Sequence, residues 1–216
     1  MPGRKTCILS PHYSAVIHSD RPYCGLIMTP LPAQYRLRRA AALLRTGKVI
    51  THPTEAVWGL ACVPWSQSAV ARILQLKQRD PAKGMVLVAD HVSRFQGVIP
   101  LLPDDVQEML MASWPGPNTW VVPDAGWAPE WIRGNHHSVA IRVSNHPLTV
   151  ALCQAANTCL VSTSANPAGL EPARSQTEVQ RYFRSAVDYY LPGRTGGLAQ
   201  PTGIRDALTG QVLRGG

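Results

Sequence analysis

From Met28 onward, short apolar runs alternate with amphipathic stretches, and that alternation restricts the chain to helices layered on a sheet. Leu31–Thr46 reads as a basic amphipathic helix, with Leu37, Ala41 and Leu44 on one face and Arg36, Arg38 and Arg39 largely outside it. Gly47 closes that helix. Lys48–Thr51 is expected to be a short strand, followed by a loop over His52–Val63. A helix over Ser66–Gln78 ends before Asp80-Pro81, and Met85–Ala89 is an apolar strand. Helices are expected near His91–Gln96 and over Asp104–Ser113, then strands over Thr119–Val122 and Val139–Val143. Pro147–Ala156 carries proline at its first helical position, and Cys159–Thr163 is a strand that empties into a loop of small residues. Thr177 and Gln180 have capping-box spacing for a further helix. Strands over Val187–Leu191 and around Ile204 and Val212 complete the pattern. The expectation is one α/β (mixed α+β) domain over residues 28–216. Residues 1–27 show neither period and read as a poorly ordered N-terminal extension.

A chain of 216 residues with 45% apolar and 16% charged residues can bury a core without disulfides or structural metal. The five cysteines, Cys7, Cys24, Cys62, Cys153 and Cys159, are scattered without metal or redox spacing. They are expected to be packing residues in a reducing compartment, the cytoplasm. No stretch approaches the roughly 20 apolar residues of a membrane helix. The net charge of +8 favours a polyanionic partner: nucleotide, nucleic acid or anionic surface. Both common nucleotide loops, G-x-x-x-x-G-K-[ST] and G-x-G-x-x-G, are missing, as are G-x-S-x-G and H-E-x-x-H. A nucleotide bound here is held by some other device.

Six segments stand out for their chemistry. His52-Pro-Thr-Glu-Ala-Val-Trp-Gly-Leu60 follows a strand, and Leu76-Lys-Gln-Arg-Asp-Pro-Ala-Lys-Gly84 closes a helix. Trp114-Pro-Gly-Pro-Asn-Thr119 is a rigid turn, and Ser138-Val-Ala-Ile-Arg142 is a strand ending in a cation. Ser162-Thr-Ser-Ala-Asn-Pro-Ala-Gly169 is a hydroxyl-rich loop, and Pro201-Thr-Gly-Ile-Arg-Asp206 leads toward Arg214. In this order the segments resemble the YrdC/TsaC family, the threonylcarbamoyl-AMP synthases, over roughly Met28 to Gly216.

The resemblance implies a single-domain twisted open sheet with flanking helices around a large basic cavity. It also implies a reaction: L-threonine, bicarbonate and ATP, with Mg2+ on the triphosphate, give threonylcarbamoyl-AMP and pyrophosphate. Downstream threonylcarbamoyl-transferase proteins would then modify the tRNA adenosine beside the anticodon. By the same resemblance Arg79, Lys83, Ser138, Ser164, Asn166 and Arg214 would hold ATP, and Thr54, Arg142, Ser162 and Thr202 would hold threonine. Ala56 and Val88 stand where many members have Thr and some have His. Trp114-Pro-Gly-Pro reads as scaffold, and Trp58 as core more than cavity lining.

The residue types suit this chemistry. A carbamate oxygen is already anionic, so no acid/base residue and no protein-bound metal is expected. The need is an in-line pose with cations on the phosphates, for which Lys77, Arg79 and Lys83 are the candidates. Arg142 suits a carboxylate because its planar fork can bind both oxygens. Helix-end cation enrichment, a strand-end ion pair and a self-capping turn are the structural alternatives for the Lys77 cluster, Arg142 and the Ser162–Asn166 loop. The rival function is a non-catalytic module for double-stranded RNA or tRNA, which the charge alone would support. A YrdC-like domain activating carbamoyl phosphate inside a larger maturation protein ranks third.

Overall fold

The computed structural model describes residues 32–215, together with the backbone of three earlier strands, β1 (Thr6–Ser10), β2 (Tyr13–Val16) and β3 (Ile27–Pro30). These three form a separate antiparallel sheet in the order β1-β2-β3. No strand is expected at β1 or β2 from their sequence. The remainder of the 1–27 extension, Cys24 included, lies outside the described residues.

α1 (Ala33–Arg45) buries Ala40, Ala41 and Leu44, the face set by its helical period, and Gly47 follows it at φ +72°. β4 (Ile50–Pro53) runs two residues beyond the expected strand. The expected loop after it contains a further strand, β5 (Trp58–Cys62), paired antiparallel with β4. Every residue of β5 is buried, so the polar–apolar alternation that marks a half-exposed strand is absent from its sequence. α2 (Gln67–Lys77) begins where the Ser66 hydroxyl accepts the Ala69 N–H. β6 (Val86–Ala89) follows, then a single 3-10 turn at Val92–Phe95 where a helix is expected, then α3 (Asp104–Ser113) and β7 (Asn118–Pro123).

α4 (Glu130–Arg133) is one turn long and has no periodic signal. β8 (Ser138–Val143), α5 (Pro147–Ala156) and β9 (Leu160–Ser164) fall close to their expected places. α6 (Gln176–Phe183) corrects the capping box: Ser175 and Glu178 form it, not Thr177 and Gln180. The Glu178 carboxylate accepts the N–H groups of Arg174 at 2.7 Å and Ser175 at 3.1 Å, and a charged acceptor suits a helix N-terminus better than an amide. β10 (Tyr189–Tyr190), β11 (Gly203–Asp206) and β12 (Val212–Arg214) finish the chain.

β4 to β12 form one mixed, open sheet in the order β10-β4-β5-β9-β6-β8-β7-β11-β12. β10 and β4, β6 and β8, and β7 and β11 are parallel pairs; the others are antiparallel. Helices pack on both faces, so successive strand residues enter different cores. Leu60, Cys62 and Val161 join the larger core with α2 and α4, whereas Ala61 and Leu160 join the smaller one under α1 and α5. Cys62, Cys153 and Cys159 are free and buried, and burial pushes the Cys62 and Cys159 thiols up to about 12 and about 11. Among the described residues no helix is long and apolar enough to cross a membrane.

Candidate active site

A cavity of about 350 Å³ lies against the large sheet, and most of its strands contribute to the lining. Thr54, Ala56 and Val57 come from the turn after β4, Trp58 and Gly59 from β5, and Ser162, Thr163 and Ser164 from β9. Val86, Thr119 and Arg142 come from β6, β7 and β8, Thr202 precedes β11, and Arg214 ends β12. Arg79 arrives from the loop after α2. Gly59 allows the backbones to close up: a Cβ there would lie 3.3 Å from the Thr163 carbonyl and 3.3 Å from the Thr54 methyl.

Among the described residues the lining contains three arginines and no carboxylate. Arg142 is 5% exposed, and its Nη2 lies 3.3 Å from Glu55 Oε2 in an ion pair. Its buried Nε has no hydrogen-bond partner among the described residues. Burial, and then the charge of Arg214, push the Arg142 guanidinium below its ordinary range, while Glu55 opposes them. Arg79 donates from Nη2 to the Gly84 carbonyl at 3.1 Å, and its buried Nε is also unpartnered. Arg214 donates to the Thr202 carbonyl at 2.8 Å. Desolvation at the cavity rim and the charge of Arg79 depress its affinity for a proton. Arg214 repels Arg142 and Arg79 repels Arg214, so an anion in this concavity would be favoured.

Lys77 works differently. Its Nζ donates within β9 and the following loop, lying 2.6 Å from Ser164 O, 3.4 Å from Ser164 Oγ, 2.9 Å from Asn166 O and 3.3 Å from Asn166 Oδ1. Burial and then Arg79 lower it to about 8. Lys77 is therefore a clamp that fixes the hydroxyl loop and lies outside the lining.

The profile of the Sua5_yciO_yrdC family, described as telomere recombination, matches residues 42–216. The chain belongs to this family. It is 49% identical over 178 residues to the threonylcarbamoyl-AMP synthase of Hahella chejuensis, covering 82% of this chain and 97% of that one. The threonylcarbamoyl-AMP synthase of Halorhodospira halophila is 49% identical over 180 residues, covering 83% and 94%. Among solved structures, a H234A/Y235A variant of P. abyssi Sua5 has a TM-score of 0.76 at 26% identity, covering 82% of this chain and 54% of that one. E. coli YciO has a TM-score of 0.73 at 24% identity, covering 86% and 90%, and shows the shared fold.

Within this Sua5/YciO/YrdC fold, the cavity brings together Thr54, Arg79, Arg142, Ser162, Ser164, Thr202 and Arg214 of the residues singled out in the sequence. The structure does not bring Lys83, Ser138 or Asn166 into the lining. Lys83 is exposed on the 3-10 turn Pro81–Lys83, and Ser138 opens β8 at the far end from Arg142. Asn166 is engaged by its own loop, donating to Leu170 O at 2.6 Å and Pro167 O at 3.2 Å while accepting from Lys77. Ala56 lines the cavity; Val88, fully buried beside Arg142 in the β6–β8 register, does not. Trp58 does both jobs, packing into the larger core and lining the cavity.

Two participants escaped the sequence reading. Glu55 sits in the first motif without an assigned role, and Ser144, just past β8, donates to Glu55 Oε1 at 2.6 Å. Their signal was faint: an acid inside an otherwise apolar and small-residue run, destined for burial with a partner far along the chain.

Proposed function

We propose that this chain is an L-threonylcarbamoyladenylate synthase, a nucleotidyltransferase acting in the cytoplasm on L-threonine, bicarbonate and ATP. The observation that carries the reading is a cavity lined, among the described residues, by three arginines and no carboxylate, one of them, Arg142, buried with an Nε unpartnered among those residues. Relatives bearing the name threonylcarbamoyl-AMP synthase, at 49% identity over nearly their whole length, support it.

The chemistry divides between two ends of the cavity. At the strand end, Arg142 takes the threonine carboxylate with Ser162, Thr54 and Thr202 around it. A buried guanidinium binds a carboxylate with charge-assisted hydrogen bonds worth roughly 1.5–3 kcal/mol each. The Thr54 hydroxyl already donates to the Val57 carbonyl at 2.8 Å, so it shapes the pocket and offers only its oxygen to a ligand's donor. Toward Arg79 and Arg214 the cavity suits phosphates, with Ser164 presented by the Lys77 clamp. Threonine's amine and bicarbonate give a carbamate with loss of water. A carbamate oxygen then bonds to the α-phosphorus as the bond to the β-phosphate oxygen breaks, and pyrophosphate leaves with its electron pair. Arg79 and Arg214 stabilise the charge that moves onto the leaving group. Mg2+ enters with the triphosphate as part of the substrate.

The threonylcarbamoyl-AMP so formed is consumed by a transferase that modifies a tRNA adenosine. The double-stranded RNA-binding alternative is the weaker reading, since an exposed basic surface would serve it without arginines aimed into a cavity. Pyrophosphate release by the purified chain tests the proposal: it is expected to require ATP, threonine and bicarbonate together, with serine poorer than threonine. Release indifferent to threonine would replace this reading with a plain nucleotidase.

A further inference from the structure

Resting on the reading that Arg142 receives the substrate carboxylate, we propose that Glu55 is the positioning residue that aims Arg142, with Ser144 as its anchor. Glu55 is 4% exposed and absent from the cavity lining, whereas Arg142, 5% exposed, reaches the lining. The carboxylate thus stands behind the guanidinium, with its Oε2 3.3 Å from Arg142 Nη2. Its other oxygen accepts the Ser144 hydroxyl at 2.6 Å, and Ser144 Oγ in turn accepts the His146 N–H at 3.1 Å. The Ser144 N–H is tied to Ala89 O at 3.0 Å, at the end of β6. The backbone of Glu55 is held as well, its carbonyl accepting Leu198 N–H at 3.0 Å. One carboxylate oxygen and the backbone of the acid are thus held before any substrate arrives.

An arginine side chain turns about several bonds, and a buried one without a counter-charge is costly. A fixed carboxylate behind the guanidinium answers both problems. It offsets the charge while the cavity is empty, and its Oε2, within ion-pair distance of Nη2 but without a hydrogen bond of its own among the described residues, biases where the planar fork lies. The remaining N–H groups, the unpartnered Nε among them, are left for a second carboxylate. Held this way, Arg142 meets the substrate already aligned, and less freedom is lost on binding.

The test separates aim from stability. Glu55→Gln keeps the shape and a hydrogen-bonding oxygen but removes the charge; threonine Kd by calorimetry and threonine KM are expected to rise about tenfold or more, with ATP values within about twofold. Ser144→Ala leaves both charges in place and is expected to weaken threonine about threefold. In an Arg142→Ala background, Glu55→Gln is expected to add nothing further to the threonine defect, because it acts through that arginine. A purely structural ion pair would lower the melting temperature and shift both ligands alike, or leave both unchanged in the folded variant; either result overturns the proposal. So does additivity in the double variant. Should Glu55→Gln fail to fold, a folded Ser144→Ala with unchanged threonine affinity overturns it alone. Wild-type chain that bound no threonine would instead remove the underlying reading of Arg142, and the proposal with it.

Discussion

Arg142 and Arg79 differ in their surroundings, and the difference separates what each can hold. Arg142 is enclosed, with one carboxylate behind it; Arg79 is half-buried, tethered to the Gly84 carbonyl and close enough to Arg214 for their charges to interact. Arg142→Ala is expected to weaken threonine about tenfold or more while leaving ATP within about twofold, and Arg79→Ala to do the reverse and slow turnover. Arg142→Lys is expected to stay impaired, since a point charge cannot reproduce the planar fork. Calorimetric titration of each ligand into each folded variant decides this. Equal losses for both ligands would dissolve the proposed division of the cavity. His52 gives a second expectation at this scale. It is fully buried on β4, with Nδ1 3.0 Å from the Pro53 carbonyl and an unpartnered Nε2. Burial first, and then the charge of His146, lower it from 6.5 to about 4. Between those values the unfolded chain binds a proton that the folded chain refuses. Stability is therefore full above 6.5 and is lost as pH falls toward about 4. Urea midpoints across that window should fall less steeply for His52→Gln than for wild type; parallel slopes would show that His52 is not the group responsible.

Among the elements, α4 and the loop after α2 lean on each other through bare backbone. Met85 N–H donates to Ile132 O at 2.8 Å and Asn135 N–H to Ala82 O at 3.1 Å. Gly134, at φ +63°, leaves no room: a Cβ there would stand 2.4 Å from the Ala82 carbonyl oxygen. Gly134→Ala is expected to cost on the order of 2 kcal/mol and to weaken ATP more than threonine, because the displaced loop carries Arg79. A melting curve beside an ATP titration checks both halves; an unaltered ATP affinity would show that α4 does not support the phosphate end. None of this buttress was legible in the sequence. Four residues are too few to display a helical period, and a backbone contact leaves no side-chain pattern. β5 was hidden for the opposite reason, burial on both faces, which erases alternation at Trp58–Cys62. α2, α5 and β8 were readable because their ends carry Ser66, Pro147 and the polar flanks of an apolar run. The same rule holds in the cavity. Arg142, Ser162 and Ser164 were found through the motifs that resemble the YrdC/TsaC family, and Glu55 was missed because burial beside a distant partner is a tertiary fact.

For the whole molecule, three of the 21 basic residues share a cavity that has no lining carboxylate among the described residues. ATP is accordingly expected to raise the melting temperature in a salt-sensitive way, the rise shrinking from low salt to ~0.5 M as screening shortens to a few ångströms. Threonine's smaller charge should make its own effect less sensitive; identical salt responses would contradict an electrostatic basis for ATP binding. β1 pairs with β2 and β2 with β3, in a sheet separate from the large one. A chain begun at Met28 is therefore expected to fold and to keep threonine-dependent pyrophosphate release, and an insoluble or inactive product would show that those strands serve the main domain.

The sheet ends on β12, whose three residues are all exposed, with Val212 at 56% and Leu213 at 52%. Such an edge offers unpaired backbone groups beside apolar side chains, the usual starting point for strands of separate molecules to stick together. Arg214 is the last residue of that strand and also part of the cavity wall. On the proposed reading, a nucleotide that engages Arg214 would hold this border strand in place, and ATP is expected to guard the protein against aggregation. Protein stored without ATP should lose solubility faster than protein stored with it, and an Arg214→Ala variant should forfeit that protection.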